Sequence, residues 1–422
     1  MLLTFAQHLQ NYLNDEEISL LLTSLDAKRY QGLLLNPHKL SEEDLLLVFP
    51  SLVKHPLITN AFIYDPELIA PGKSYLFNAG AYYLQDLSAM LVASFLTSSE
   101  QEIIVDLCAA PGGKTVQTAL NNPNSIIIAN DISGLRAKTL AQNVERFGFD
   151  QVFVTNNDAF DILKKSPTTF DKIILDAPCS GSGMFRKSSA MLNDWSMQKV
   201  LTCAEIQKNL IVAAYQKLAP GGELIYSTCS FSYEENEAVI VHLLSIEDAI
   251  IVNLPDDKSF YMSKDIPGAI HLFPYLFEGD GHFICKITKP GTKQKRLLNK
   301  AKTTKFGNYD LDLNVISVNE HYFGARYALK LPFNIVRYGV FLGSVIKGIT
   351  SYNHHLALYL PVSKAYPLSE AEKDKYLRGE TFRNEKVTNG YHVVKYNNIN
   401  LGFIKASNGN IKNHYPKGLR LK

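Results

Sequence analysis

An α/β fold built on a mostly parallel, doubly wound sheet is predicted for residues 76–288 of this 422-residue chain. Three observations carry the prediction. Strand-like apolar runs alternate with helix-like stretches. A glycine turn in "DLCAAPGGKT" follows the first run and precedes a helical one. The first five runs each end on a polar or small residue, at the strand ends where ligands bind in such sheets. Together these define a Rossmann-like core, with a small N-terminal domain before it and α+β segments after it.

Residues 1–75 mix amphipathic stretches such as "SEEDLLLVFPSLV" with short extended ones, and the Pro- and Gly-bearing "APGKSY" marks their end. From 76 to 288 the strands are expected at "EIIVDL", "SIIIAND", "QVFVTNND", "DKIILDAP", "GELIYST" and "HFICKIT". A basic linker over 289–306 leads to a first C-terminal domain, 307–362, and a last module, 363–422, in which "YHVVKYNNINLGFIKA" reads as a hairpin around a polar turn.

Composition bounds the class. With 46% hydrophobic and 20% charged residues the chain can bury a large core and is neither disordered nor fibrous. Five cysteines, an odd number spread over a long chain, fit a reducing compartment. No basic leader and no apolar run near the ~20 residues of a membrane span are present. The expectation is a cytoplasmic protein without membrane contact, a monomer by default. The net charge of +2 conceals an asymmetry: residues 291–422 hold 22 Lys and Arg against 8 Asp and Glu, whereas residues 1–290 hold 21 against 33. Eight basic residues and no acid lie between Lys286 and Lys305. Such a run is either a solvated face or a polyanion-binding segment. The nearby Tyr352, Tyr376, Phe382, Tyr391, Tyr396 and Tyr415 either stack on unpaired bases or belong to the core.

The glycine turn admits two readings. "CAAPGGKT" is one residue short of a phosphate-binding loop, with Cys108 where the first glycine belongs, and "IILDAP" would then supply a magnesium carboxylate. A proline in the loop removes one backbone donor, a poor choice for wrapping a triphosphate. The alternative takes the carboxylates in order. Asp131 ends the second strand about 20 residues past the glycines, where an acid binds ribose hydroxyls, and Asp158 ends the third, within reach of an adenine amine. Either aspartate alone would more simply cap the next helix. Both together favour an adenosine-bearing cofactor without a polyphosphate.

Cys108, Cys203 and Cys285 lie in apolar contexts and read as buried small hydrophobes, whereas Cys179 and Cys229 follow the fourth and fifth strands at the ligand-facing end. No further cysteine or histidine stands at metal-ligand spacing, so no metal is expected. A thiolate beside an adenosine-bearing cofactor suits addition to carbon 6 of a pyrimidine, which makes carbon 5 nucleophilic enough to attack an electrophilic methyl group. Asp176 is placed to hydrogen-bond the ring, and a second group must help release the adduct. Ser232 and Glu235 form an S-x-x-E pattern, which predicts a helix start, and a dipole favouring a thiolate, within a turn of Cys229.

"DLCAAPGGKT", "ANDIS", "NNDAF", "LDAPCSGSGMFRK" and "YSTCSFSYEENE" resemble the successive motifs of the RNA 5-methylcytosine methyltransferases of the NOL/NOP/Sun type. The resemblance spans about residues 75–285; "NAGAYYLQDLSAM" and "FPYLFEGDGHFICKI" extend it, and "GFIKASNGNIKNHYPKGLRLK" is similar to a PUA-type RNA-binding tail of bacterial members acting on small-subunit ribosomal RNA. It implies S-adenosyl-L-methionine held by Cys108, Ala109, Ala110, Pro111, Gly112, Gly113 and Lys114, with Asp176 nearby, Asp131 on the ribose, Asp158 on the adenine and Arg136 assisting. It further implies Asp176 on the target cytosine, Cys229 as nucleophile, Cys179 in product release and Lys187 supporting the loop or the RNA. The order of the cysteines rests on the resemblance alone, since DNA cytosine methyltransferases use the cysteine of their Pro-Cys motif. Leu34 and His271 stand where the family commonly has arginine, so RNA contacts there are expected to differ. The implied substrate is 16S ribosomal RNA or the 30S subunit, with transfer RNA second; a non-catalytic ribosome-assembly factor and a phosphate-loop nucleotide hydrolase are the competing classes.

Overall fold

The computed structural model describes residues 2–98, 100–187 and 189–421. Two helices open the chain, Leu2–Leu9 and Asp15–Leu25. The second starts where it does because Asn14 and Glu17 form a reciprocal capping box and three acids fill the first turn. A four-stranded antiparallel sheet follows, ordered Val53–Lys54, Ala61–Tyr64, Gln31–Leu35, Tyr82–Gln85. Its last strand lies beyond residue 75, and "APGKSY" forms a short turn and a four-residue helix inside the unit. The seam before the core therefore falls after Gln85: pairing of Leu34 with Tyr83 and Leu33 with Leu84 holds the segment in the N-terminal sheet.

All six expected core strands form. Ile103–Asp106, Ile126–Asn130, Val152–Thr155, Phe170–Asp176 and Leu218–Thr228 are parallel in the spatial order third, second, first, fourth, fifth, and His282–Thr288 runs antiparallel beside the fifth. The strand interiors are fully buried because helices cover both faces, which is why they read as continuous apolar runs. The order reverses between the first and fourth strands, opening a crevice at their carboxyl ends. Helix Gly113–Asn121 starts from Gly112 at φ 114°, and helix Gly134–Phe147 runs from the Ser133 cap to left-handed Gly148.

The C-terminal third is less separate than its sequence indicated. Ile335–Tyr338 leaves the expected 307–362 domain and pairs antiparallel with the third core strand, its edge hydrogen bonds otherwise being unfilled. The rest of that region is a four-stranded antiparallel sheet, Asn314–Val318, His321–Ala325, Val340–Ile346 and Ile349–Tyr352, preceded by strand Tyr309–Leu311 paired with Thr304–Phe306 and followed by helix His354–Tyr359. A five-stranded sheet closes the chain, and the expected hairpin joins Gly390–Tyr396 to Ile399–Ser407 through Asn397 and Asn398, both at positive φ. The basic run is only partly a free linker. Lys286 lies in a core strand and pairs with Glu223, Lys293 pairs with buried Glu102, and Arg296 with buried Asp171. Of the six aromatics, Tyr376, Phe382 and Tyr415 are core; Tyr352, Tyr391 and Tyr396 are partly exposed.

Candidate active site

A cavity of about 410 Å3 opens at the strand ends, between Cys108, Ala109, Ala110, Pro111, Gly113 and Lys114 on one wall, Gly112 lying behind them, and Asp176, Met184, Lys187 and Cys229 on the other. Gly113 lets the glycine loop approach Gln85: a Cβ there would lie 2.5 Å from the Gln85 amide. Asp106 ends the first strand and accepts from Thr115 Oγ1 at 2.7 Å. Its Oδ1 and Gln85 Oε1 are buried and take no hydrogen bond from the described residues. Two orphaned acceptors on a cavity wall cost stability unless a ligand donates to them. Burial pushes the Asp106 carboxyl up to about 7. The wall thus suits a cation or an amino group beside a glycine loop, as the amino-acid end of S-adenosylmethionine would present.

The other expected cofactor residues lie outside this cavity, on the adjoining strand ends. Asp131 is buried, accepts from Ser133 N at 2.9 Å and pairs with Arg136 at 3.3 Å. Arg136 also donates to the Ala110 carbonyl at 2.7 Å, tying its helix to the glycine loop. Asp158 is exposed and caps helix Ala159–Lys165, so the plain capping role is realised there. Ile132, Leu135 and Phe160, beside these aspartates in sequence, are large apolar side chains left exposed, at 68%, 78% and 41%. Exposed apolar side chains at two neighbouring strand ends are of the kind a purine ring covers.

Asp176 ends the fourth strand. Its Oδ2 accepts from Lys114 Nζ at 2.8 Å and its Oδ1 from Ser227 Oγ at 2.8 Å. Burial works to raise its pKa, but the Lys114 charge and the hydrogen bonds from Lys114 and Ser227 outweigh it and hold the carboxyl below its ordinary value. Burial likewise works against charge on Lys114, and Asp176 more than compensates, raising it. The pair is therefore an ammonium carboxylate on the cavity wall, with Lys114 the donor and Asp176 the acceptor. With Lys114 committed to this pair, the loop offers no free lysine for phosphates, which removes the basis of the phosphate-loop reading.

Cys179 Sγ and Cys229 Sγ lie 3.2 Å apart. The hydrogen bond to Cys229 and then burial push the Cys179 thiol well up, so it stays protonated beside its partner. Cys229 lines the cavity. The expected capping box at Ser232 does not form: Tyr233–Glu235 is a single 3-10 turn without a side-chain cap, and the next helix starts at Glu237. Glu235 turns inward instead, accepting from Ser180 N at 2.7 Å, Ser180 Oγ at 2.5 Å and Ser230 Oγ. A buried carboxylate satisfied by two loops is worth more there than at an exposed helix end, and it locks the Cys179 loop to the Cys229 loop.

Several residues of the cavity were not singled out from the sequence. Arg29, Asp86, Asp280 and His282 line it, drawn from segments far apart in the chain. Arg29 forks onto Asp280, donating at 2.6 Å and 2.5 Å. A polar residue at each strand end was the available signal for Asp106 and His282. Cys108 also lines the cavity, and Cys203 is partly exposed, so of the three cysteines read as buried only Cys285 is fully so. Leu34 sits in the apolar cluster packed between the N-terminal sheet and the core sheet, and His271 is buried against Glu237 at 2.6 Å. Among the described residues no three His, Cys, Asp or Glu side chains cluster as a metal would need, and no helix is long and apolar enough to cross a membrane.

Family models match three stretches of the chain: the N-terminal domain of 16S rRNA methyltransferase RsmF over residues 3–87, 16S rRNA methyltransferase RsmB/F over 93–288, and the methyltransferase RsmF PUA domain over 363–421. Ribosomal RNA small subunit methyltransferase F of Klebsiella pneumoniae (strain 342) is 30% identical over 373 residues, 81% of this chain and 78% of the relative. The protein of that name from Erwinia tasmaniensis is 29% identical over 98% of this chain and 96% of its own length. Among solved structures, a methyltransferase homolog from Pyrococcus horikoshii is 29% identical with a TM-score of 0.59, covering 67% of this chain and 93% of its own. NSun6 from Pyrococcus horikoshii, 21% identical with a TM-score of 0.60 over 68% of this chain and 98% of its own, shares the fold. A glycine loop, an ammonium carboxylate pair and two touching thiols, framed by these three consecutive domain matches, place the chain in the 16S rRNA methyltransferase RsmB/F family.

Proposed function

We propose that this chain methylates carbon 5 of a cytosine in 16S ribosomal RNA, using S-adenosyl-L-methionine and a transient covalent bond from Cys229 to carbon 6 of the base. The observation that carries the reading is the thiol pair, 3.2 Å apart, with Cys229 facing the cavity that the glycine loop walls. The Cys229 thiolate adds to carbon 6, and the electron pair moves to carbon 5 while the Lys114 ammonium supports charge at the ring nitrogen. When bound, S-adenosylmethionine supplies the electrophilic methyl group. Loss of the carbon-5 proton to a base then re-forms the double bond and expels the Cys229 sulfur, the protonated Cys179 thiol being placed to accompany that departure. Asp176, held as a carboxylate, accepts from the exocyclic amine of the base. Asp106 and Gln85 receive the amino group of the cofactor, and Asp131, Asp158 and Arg136 frame its nucleoside. The base must be unpaired or flipped out to reach Cys229. Lys187, exposed at the cavity rim, is available to backbone phosphate.

The test is transfer of labelled methyl groups to unmodified 16S ribosomal RNA, 30S subunits and transfer RNA by wild type, Cys229→Ala and Cys179→Ala, with the product nucleoside identified. The reading expects 5-methylcytidine in the ribosomal substrate from wild type, none from Cys229→Ala, and an accumulating covalent protein–RNA complex from Cys179→Ala. An active Cys229→Ala with a dead Cys179→Ala would exchange the two roles. Preferential labelling of transfer RNA would move the substrate. Full replacement of wild type by Cys229→Ala in cells would favour a purely assembly role.

A further inference from the structure

His282 opens the last core strand and is buried at 5% exposure on the cavity wall. Its Nδ1 lies 2.8 Å from Ser88 Oγ and its Nε2 lies 3.4 Å from Lys114 Nζ. The hydrogen bonds around Ser88 decide which nitrogen carries the proton. Asp86 accepts from the Ser88 and Ala89 amides through Oδ1 and from the Asp280 amide through Oδ2; burial and then the Asp280 charge push its carboxyl up, and these donors work against that rise in favour of the carboxylate. Its Oδ1 also takes the single Ser88 hydroxyl proton. Ser88 Oγ, having spent that proton, accepts from Gly281 N at 3.1 Å and has only lone pairs left for His282. The imidazole must then hold its proton on Nδ1 and present the Nε2 lone pair to Lys114. Burial, then the Lys114 charge, push its pKa down to about 3, in keeping with a neutral ring.

Lys114 thereby has two of its three N–H groups directed, one to Asp176 and one to His282. On the reading of this cavity as a cytosine site, we infer that His282 is a positioning residue for the methyl transfer: the chain Asp86, Ser88, His282 fixes the Lys114 ammonium so that its third N–H points at the ring of the bound base. Without the Nε2 acceptor the lysine would keep its ion pair and lose its angular setting. The step that suffers is then the chemical one, in which charge develops on the ring, and not cofactor binding.

The experiment compares wild type, His282→Phe, His282→Gln and Ser88→Ala in single-turnover methyl transfer to unmodified 16S ribosomal RNA, with S-adenosylmethionine affinity measured separately by calorimetry. Phenylalanine keeps the ring and deletes the acceptor, and the rate is expected to fall about 10- to 100-fold, as for loss of one hydrogen bond to a charged group, with cofactor affinity unchanged. Glutamine restores an acceptor near the Nε2 position and should recover the rate to within about fivefold of wild type. Ser88→Ala frees the tautomer and should slow the reaction in the same sense; it carries the test if the phenylalanine protein does not fold. Wild-type rates in His282→Phe or Ser88→Ala would overturn the inference, and equal losses in Phe and Gln would reduce His282 to packing. A wild type that labels no RNA would instead sink the cytosine reading and this inference together.

Discussion

At the residue scale the two thiols differ in ways that chemistry can read directly. Cys179 is pushed up by its hydrogen bond to Cys229 and by burial, and Cys108 and Cys285 are pushed up mainly by burial. Cys203, partly buried, is pushed up to about 11. Cys229 is the thiol of the touching pair that lines the cavity. Substoichiometric iodoacetamide at pH 8 is therefore expected to modify Cys229 first, at least about tenfold faster than Cys179. Mass spectrometry of the alkylated peptides checks the order, and Cys179 ahead of Cys229 would mean that the hydrogen bond runs the other way. Asp176 and Cys229 were singled out in sequence because one ends a strand and the other directly follows one, each next to small residues. Asp86, Asp280 and His282 were not, because what gives them a role is their meeting across 194 residues of chain, between Ser88 and His282.

At the scale of elements, sequence and structure agree wherever a pattern is repeated and diverge where one local pattern competes with tertiary burial. All six core strands were visible from apolar runs, and the hairpin from its Asn-Asn turn. The Ser232–Glu235 pattern failed because Glu235 finds better partners inside, two loops and Gln207. Helix Met197–Lys217 joins this knot, since Gln207 also donates to the Pro178 carbonyl at 2.8 Å. The clamp joins the two loops that carry the thiols, so it is expected to set their spacing. Glu235→Gln puts an amide donor among the donors of Ser180 and should cost about 2–3 kcal/mol of stability. Methyl transfer should fall further than that loss of folded protein explains, with cofactor affinity retained. Calorimetric unfolding and single-turnover rates measure the two effects; a variant that is destabilised yet transfers methyl groups at the wild-type rate would detach Glu235 from the thiol geometry.

For the molecule as a whole, the charge asymmetry turns out to be partly an internal fastening. Lys293, Arg296, Arg326 and Arg337 of the basic third each pair with a buried carboxylate of the core, Glu102, Asp171, Asp150 and Glu145. Composition revealed the imbalance but could not say that it closes on itself, nor that Ile335–Tyr338 would join the core sheet, because both depend on long-range docking. The same docking buries a seam rich in positive charge. Lys39 donates to the carbonyls of Ala79 and Arg146 at 2.8 Å each, and burial followed by the Arg146 charge push its pKa down to about 7. A neutral amine still has two N–H groups, enough for both carbonyls. The unfolded chain keeps the Lys39 proton up to about pH 10, so from pH 7 upward it binds more protons than the folded chain, and stability rises with pH. The raised carboxyls of Asp106 and Glu145 are half-titrated near 7 and the raised thiols oppose stability only above their ordinary value of 9, so the Lys39 contribution is read between pH 7 and 9 as the difference from a protein that keeps all of those groups. Between those limits the melting temperature of wild type should climb relative to that of Lys39→Met, which lacks the titrating group. Parallel curves for the two proteins would show that the Lys39 amine is solvated and that the seam between the N-terminal sheet and the core is open to water.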